Sequence, residues 1–271
     1  MFFRNRVMAV IGIGFFVLSP AYADSLIEYQ VETGRQKSVQ PIIIKNSSIL
    51  VKSAGGDKNL DILYENNDEK LVLIDHKNHS FTPITEHRAN KLAQQIEDLQ
   101  PLLIGIGEQL GKLPPKQRAK WEDMLGGISL DRFDAAQREI GATKVQKAGA
   151  ARQVAGIGCE PMGVIRHGVK TAEFCLADPA ALKLPEPDAN TLRALIAFTQ
   201  RLAKRAEPLV QFGFELPRLD LSTNTGVPVQ IREFNGKHSV DINLAKINGQ
   251  AAISEEVKVP EGYRAEKLRL W

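Results

Sequence analysis

The chain is short of cysteine and of net charge, and it has no long apolar run. Two cysteines stand among 271 residues, and they are too far apart to make a C-x-x-C pair. That spacing argues against a thioredoxin-like redox centre, and no second Cys or Cys/His pair accompanies them to complete a zinc site. Crossing a bilayer takes roughly 20 apolar residues. The longest such run, Val7 to Leu18, holds about 12 and is followed by Ala21-Tyr22-Ala23. With Arg4 and Arg6 ahead of it, this stretch has the three parts of a cleavable export leader, so residues 1–23 are expected to be a signal peptide and the rest is not expected to span a membrane. Losing the two arginines reduces the 35 basic residues to 33, against 32 acidic ones. No basic block and no interleaving of basic and aromatic residues is present, so nucleic acid is not an expected partner.

Catalytic signatures are equally sparse. Ser25, Ser47, Ser48 and Ser80 lack a G-x-S-x-G context, which removes the usual hydrolase elbow. Gly105-Ile-Gly-Glu-Gln-Leu-Gly111 lies in a helical pattern and does not follow a strand, so it is no dinucleotide fingerprint. The acidic pairs Glu65/Asp68, Glu122/Asp123 and Glu255/Glu256 read as exposed turns and faces. Asp75, His76 and His79 form the most visible polar cluster, and without a further ligand they read as turn residues ahead of a metal site. No catalytic residue, metal site or cofactor is expected.

Secondary-structure signals are plentiful. From Ser25 to Ile84 six short apolar or alternating runs are punctuated by turn-forming stretches, which predicts an antiparallel meander. Ala89, Leu92, Ile96, Leu99, Leu103, Ile106, Leu110 and Leu113 then recur at spacings of three and four, the period of an amphipathic helix. A further helix is expected from Pro187, with Asp188 as N-cap and Arg201, Lys204 and Arg205 as a solvated basic end. Asn235-Gly236 predicts a two-residue hairpin that sets Ile231 opposite Val240, Val229 opposite Ile242 and Gln230 opposite Asp241; Asn248-Gly249 predicts a weaker one. The order strands, helices, strands, helix, strands gives an α+β fold, read as one domain over 24–271 with a helical insert at about 85–140.

The cysteines fall within that scheme. A three-residue loop Arg166-His167-Gly168 would pair Ile165 with Val169 and bring Cys159 opposite Cys175, and export favours their oxidation. A structural disulfide is expected, contributing about 3 kcal/mol by chain entropy.

Several stretches, taken in order, resemble a family of exported bacterial proteins of unknown function. They are "DILYENNDEKLVLIDHKNHSFTPI", "KLPPKQRAKWEDML", "VAGIGCEPMGVIRHGVKTAEFCLAD" and the ending "VKVPEGYRAEKL". That family looks related to the lipoprotein-carrier (LolA/LolB-like) architecture. The resemblance implies a strongly curved antiparallel sheet, an unclosed half-barrel with helices on its concave face, and a periplasmic location. It brings no active-site residues. The expectation is therefore a periplasmic, non-enzymatic protein in which Leu92, Ile96, Leu99, Leu103 and Ile106 either contact a lipid or lipoprotein segment or are plain core. The rival reading is a structural or interaction protein that engages another envelope protein and binds no small molecule.

Overall fold

The computed structural model describes residues 24–34, 36–54, 57–91, 93, 94, 114, 116, 117, 120, 144–166, 168–205, 226–235 and 238–267. Strands come first: β1 (Asp24–Thr33), β2 (Gln36–Lys45), β3 (Ser48–Val51), β4 (Leu60–Glu65), β5 (Lys70–Asp75) and β6 (Ser80–Thr85). Then follow β7 (Lys144–Lys147), β8 (Arg152–Val154), β9 (Ile157–Arg166), β10 (Val169–Ala177), a 3-10 turn at Pro179–Leu182 and helix α1 (Glu186–Arg205). β11 (Val227–Asn235), β12 (His238–Ala251) and β13 (Arg264–Ala265) complete the order.

The strands make one 13-stranded open sheet, ordered β13-β6-β5-β4-β3-β2-β1-β12-β11-β10-β9-β7, with β8 paired to β9. Pairing is antiparallel except between β13 and β6. The expected meander over β1 to β6 is present, and strands from both sides of the 86–143 stretch enter the same sheet.

Side chains on successive strand residues alternate between faces, and both faces carry apolar rows. On one face Ser25, Ile44, Ile49, Tyr64, Leu71 and Ile84 stand in direct cross-strand register. This row packs with Ile27, Tyr29 and Val229 against Phe198, Leu192 and Leu195 of α1. The Tyr64 and Phe198 rings lie 5.6 Å apart. On the opposite face Leu26, Ile43, Leu50, Leu63 and Val72 form the neighbouring row. Nothing helical covers it among the described residues. Ile253, Val257, Val259 and Tyr263 pack there instead, contributed by the irregular 252–263 segment, hereafter the strap.

This arrangement overturns the expected lipoprotein-carrier-like half-barrel with helices on its concave face. The chain forms instead a large, mostly antiparallel 13-stranded open sheet, with α1 over one face and a strap without regular structure over part of the other. Among the described residues α1 is the one long helix; residues 86–91, 93 and 94 are helical, and the remainder of the expected 89–113 stripe lies outside the described residues. No helix of the described residues is long and apolar enough to cross a membrane.

The local expectations around α1 also need correction. Asp188 is not an N-cap: it sits in the first turn, 7% exposed, and accepts a hydrogen bond from Ser25 Oγ at 2.5 Å. Arg201 is no solvated end either, since it pairs with Glu86 and, at 3.1 Å, with Glu69. The pairing ties the end of α1 to the β4–β5 turn and to residue 86.

Two Asn-Gly predictions fared differently. Asn235 pairs with His238, so the turn lies one residue later than expected and Ile231 faces Ile242, with Gln230 facing Asn243. At Asn248-Gly249 there is no turn, and β12 runs through to Ala251 alongside β1. A Cβ at position 249 would lie 2.9 Å from Pro185 Cδ, so the glycine there admits the chain entering α1.

Candidate functional site

The cluster Asp75, His76 and His79 separates in three dimensions. Asp75 closes its own turn, accepting from Asn78 N at 3.0 Å and Asn78 Nδ2 at 2.6 Å, and those bonds hold its carboxyl below the usual range. His76 points elsewhere. Its Nε2 lies 2.9 Å from Asp61 Oδ2 and its Nδ1 2.8 Å from Tyr263 Oη. Asp61, 4% exposed, also accepts the Ser53 backbone N–H through Oδ1 at 2.9 Å. His79 joins only by a ring contact with Tyr263 at 5.4 Å.

The partners assign the tautomer. A carboxylate only accepts, so the proton sits on Nε2 and Nδ1 accepts from the Tyr263 hydroxyl. Both ring nitrogens are thereby engaged. A metal-binding or general-base imidazole needs one nitrogen free toward its target. Among the described residues no group of three His, Cys, Asp or Glu is placed to hold a metal ion. Chemically the trio is a latch: it fixes Tyr263 of the strap to the end of β5. Arg264 N, donating to His79 O at 3.0 Å, and the short β13 continue the attachment.

Asp61 and Tyr263 are partners that the sequence reading missed. Asp61 did carry a signal, because it shares its face with Leu63 and pairs with Ile74. A carboxylate at a core-facing strand position requires a partner. Tyr263, 187 residues from His76, gave none.

A second polar assembly lies on the same face as the strap, across the other half of the sheet. Lys37, Glu32, Asp241, Arg232 and Glu173 stand in cross-strand register over β2, β1, β12, β11 and β10. Lys37 Nζ meets Glu32 at 2.8 Å. Arg232 Nε lies 3.3 Å from Asp241 Oδ1 without the alignment of a hydrogen bond. Glu173 is held by Lys170 and, at 2.7 Å, by Arg152 Nη2. Burial alone would raise the Glu173 carboxyl, but the hydrogen bonds from Lys170 and Arg152 bring it below its ordinary value. Arg152 also donates to Gln230 Oε1 at 2.5 Å, and Gln230 Nε2 donates to Asn243 Oδ1 at 2.5 Å. On the ladder's face stand two exposed large apolar side chains of the described residues, Val39 at 58% and Phe234 at 43%; a third, Val169 at 64%, lies at the β9–β10 turn and belongs by register to the opposite face. Lys170 Nζ sits 5.5 Å from the Phe234 ring centroid, in reach of a cation–π attraction.

Cys159 and Cys175 form a disulfide with a Cα–Cα distance of 5.4 Å, and Cys175 is fully buried. The pairing matches the expectation; the register does not. Val169 pairs with Arg166 across a two-residue loop, a bulge follows between Lys170 and Ala172, and Cys175 then faces Pro161. Cys159 lies beyond the last β9–β10 pair, where β9 has taken up β8. The expected ligand contacts Leu92, Ile96, Leu99, Leu103 and Ile106 all lie outside the described residues.

No family model matches the chain, and no curated protein matches it. Among solved structures it is similar to PNGF-II in a C2 crystal form, with 9% identity and a TM-score of 0.40 over 92% of this chain. A P21 form of PNGF-II gives 6% and 0.39 over 91%. The chain spans about a third of the PNGF-II length, 31% and 32% respectively. An uncharacterized conserved protein from Thermus thermophilus is 5% identical with a TM-score of 0.38, and 92% of each chain is covered. Likenesses at this level carry no functional argument.

Proposed function

We propose that the protein is an exported, non-enzymatic interaction protein of the bacterial envelope, working in the periplasm through the bare half of its sheet. The observation that supports this is the placement of exposed Val39 and Phe234 on the same face as the Lys37-to-Glu173 ladder. Apolar anchors set among polar groups are the usual anatomy of a protein-binding patch. The sheet edges serve less well. β7 is a four-residue strand with lysine at both ends, and β13 has only two residues, so neither offers much template for strand addition. The buried disulfide agrees with oxidation after export. The His76 latch, with both nitrogens engaged, agrees with a binding role.

A photo-crosslinking residue placed at Phe234 should capture one recurrent envelope protein, and the same residue at Lys204 of α1 should not. Phe234→Glu, folded as the wild type by circular dichroism, should lose co-purification of that partner. Equal capture from both positions, or none from 234, overturns the reading.

A further inference from the structure

The start of β1 carries charged groups that neither the latch nor the ladder uses. Asp188 is buried in the first turn of α1 with Ser25 Oγ as its hydrogen-bond donor, and it has no cationic partner among the described residues. Asp24, the preceding residue on β1, carries a second carboxylate, which Lys45 Nζ meets at 3.0 Å. Lys45 also donates to Ile253 O at 2.5 Å. Lys45 thus serves Asp24, and Asp188 is left without a cation of its own among the described residues. Burial pushes the Asp188 carboxyl up, and the charge on Asp24 pushes it further in the same direction. The helix N-terminus contributes only a partial positive charge to offset this.

The missing charge is supplied by processing. We propose that the α-ammonium group created at Asp24 when the leader is removed is the counter-ion of buried Asp188, so that maturation completes a charge pair inside the fold. The step rests on the export reading. A signal peptidase and water hydrolyse the Ala23–Asp24 peptide bond, leaving a carboxylate on Ala23 and an ammonium on Asp24. β1 begins at Asp24. Its nitrogen is one residue, a Cα step of about 3.8 Å, from the serine whose hydroxyl already touches Asp188. With the ammonium present the group balances: Asp188 and Asp24 against Lys45 and the terminus. The other charged neighbours on α1, Glu186 and Arg193, pair with each other at 3.2 Å. Before cleavage the same nitrogen is a neutral amide, and the buried carboxylate has only a hydroxyl.

The test uses full-length mature protein with three defined N-termini: free Asp24, Nα-acetylated Asp24, and a chain that retains Ala23. At pH 7 free Asp24 should melt about 3 °C or more above the other two, the shift expected of a modest ion pair in a domain of this size. The advantage should vanish in Asp188→Asn, which keeps an acceptor for Ser25. It should also fade above about pH 8, where an α-amine loses its proton; this readout serves if Asp188→Asn fails to fold. Equal melting of the three forms overturns the proposal, as does an advantage that survives Asp188→Asn or stays flat with pH. N-terminal sequencing of exported protein tests the leader reading separately: cleavage elsewhere would sink that reading and leave the pairing result intact.

Discussion

One face of this sheet has two halves built on opposite principles. Over β2 to β5 the row Ile43, Leu50, Leu63 and Val72 is apolar and lies under the strap. Over β1 and β10 to β12 the corresponding positions are Glu32, Asp241, Arg232 and Glu173, charged residues that meet Lys37, each other, and Lys170 with Arg152 respectively. The backbone of the apolar half is free of register shifts while bulges interrupt the β1–β12, β10–β11 and β9–β10 pairings, and the side chains differ as sharply. An apolar row loses free energy in water at about 25 cal/mol per Å² and draws the chain's own tail over it. A paired polar row already has its partners and gains nothing from being covered unless the cover brings matching groups. This difference explains why a strap without helix or strand hydrogen bonding is held in place: its contribution is surface, not backbone pairing.

The largest expected effect sharpens that contrast. Leu63 is fully buried, and Leu63→Ala should cost about 2–5 kcal/mol in urea unfolding, the usual range for a large-to-small core change. Glu32→Ala, one of the partners in an exposed pair, should stay within about 0.5 kcal/mol. Equal losses at the two positions would break the comparison.

How much of this could be read from the chain depends on range. The β1–β6 meander was legible because alternation and turn residues are local signals. The β11–β12 hairpin was legible in its faces and not in its register. A slip of two residues keeps every side chain on its own side, so hydrophobic pattern cannot separate Ile231–Val240 from Ile231–Ile242. The same ambiguity left the cysteine pair correct and its strand register wrong. Gly249 misled for another reason: it answers a close approach by Pro185, 64 positions earlier, and turn chemistry carries no information about that. The helix-plugged half-barrel failed because the residues over the second face, 253–263, have neither period and so announce no element at all. As for the site, the Val39 and Phe234 surface was not singled out by the sequence. Each is an ordinary strand residue until the register places both on the ladder's polar face.

Acid titration gives an intermediate effect and distinguishes two buried carboxylates of opposite sign. Glu173 is held below 4.5 in the fold, so it contributes stability above that value and loses it as pH falls through its lower folded value. In the form that retains Ala23, where no ammonium stands on Asp24, Asp188 is raised above 3.8, so the fold gains stability as pH falls through the raised value and gives it up when the carboxyl ionises. Glu173→Gln should therefore flatten the acid fall in unfolding free energy, and Asp188→Asn should steepen it. Arg152→Ala, which strips Glu173 and Gln230 of a shared donor, should cost about 1–3 kcal/mol at neutral pH. Parallel acid curves for Glu173→Gln and Asp188→Asn would mean that the two environments do not differ as described.

The smallest effect is the most local. Tyr263→Phe keeps the ring over Leu63 and its neighbours, and removes only the hydroxyl that His76 Nδ1 accepts. His76 is about a third exposed, so water can replace the lost partner, and the global cost should sit near the lower end of about 0.5–1.5 kcal/mol. The change in the strap should be larger than that in the sheet. Amides of 261–267, which include the Arg264 bond to His79 and the Glu266 bond to β6, should exchange with deuterium faster, while those of β3 and β4 stay protected. If both regions loosen together, the strap and the sheet unfold as one unit and the latch is merely part of the core. If only the strap loosens, its apolar contacts keep it in place and the Asp61–His76–Tyr263 hydrogen bonds set its register.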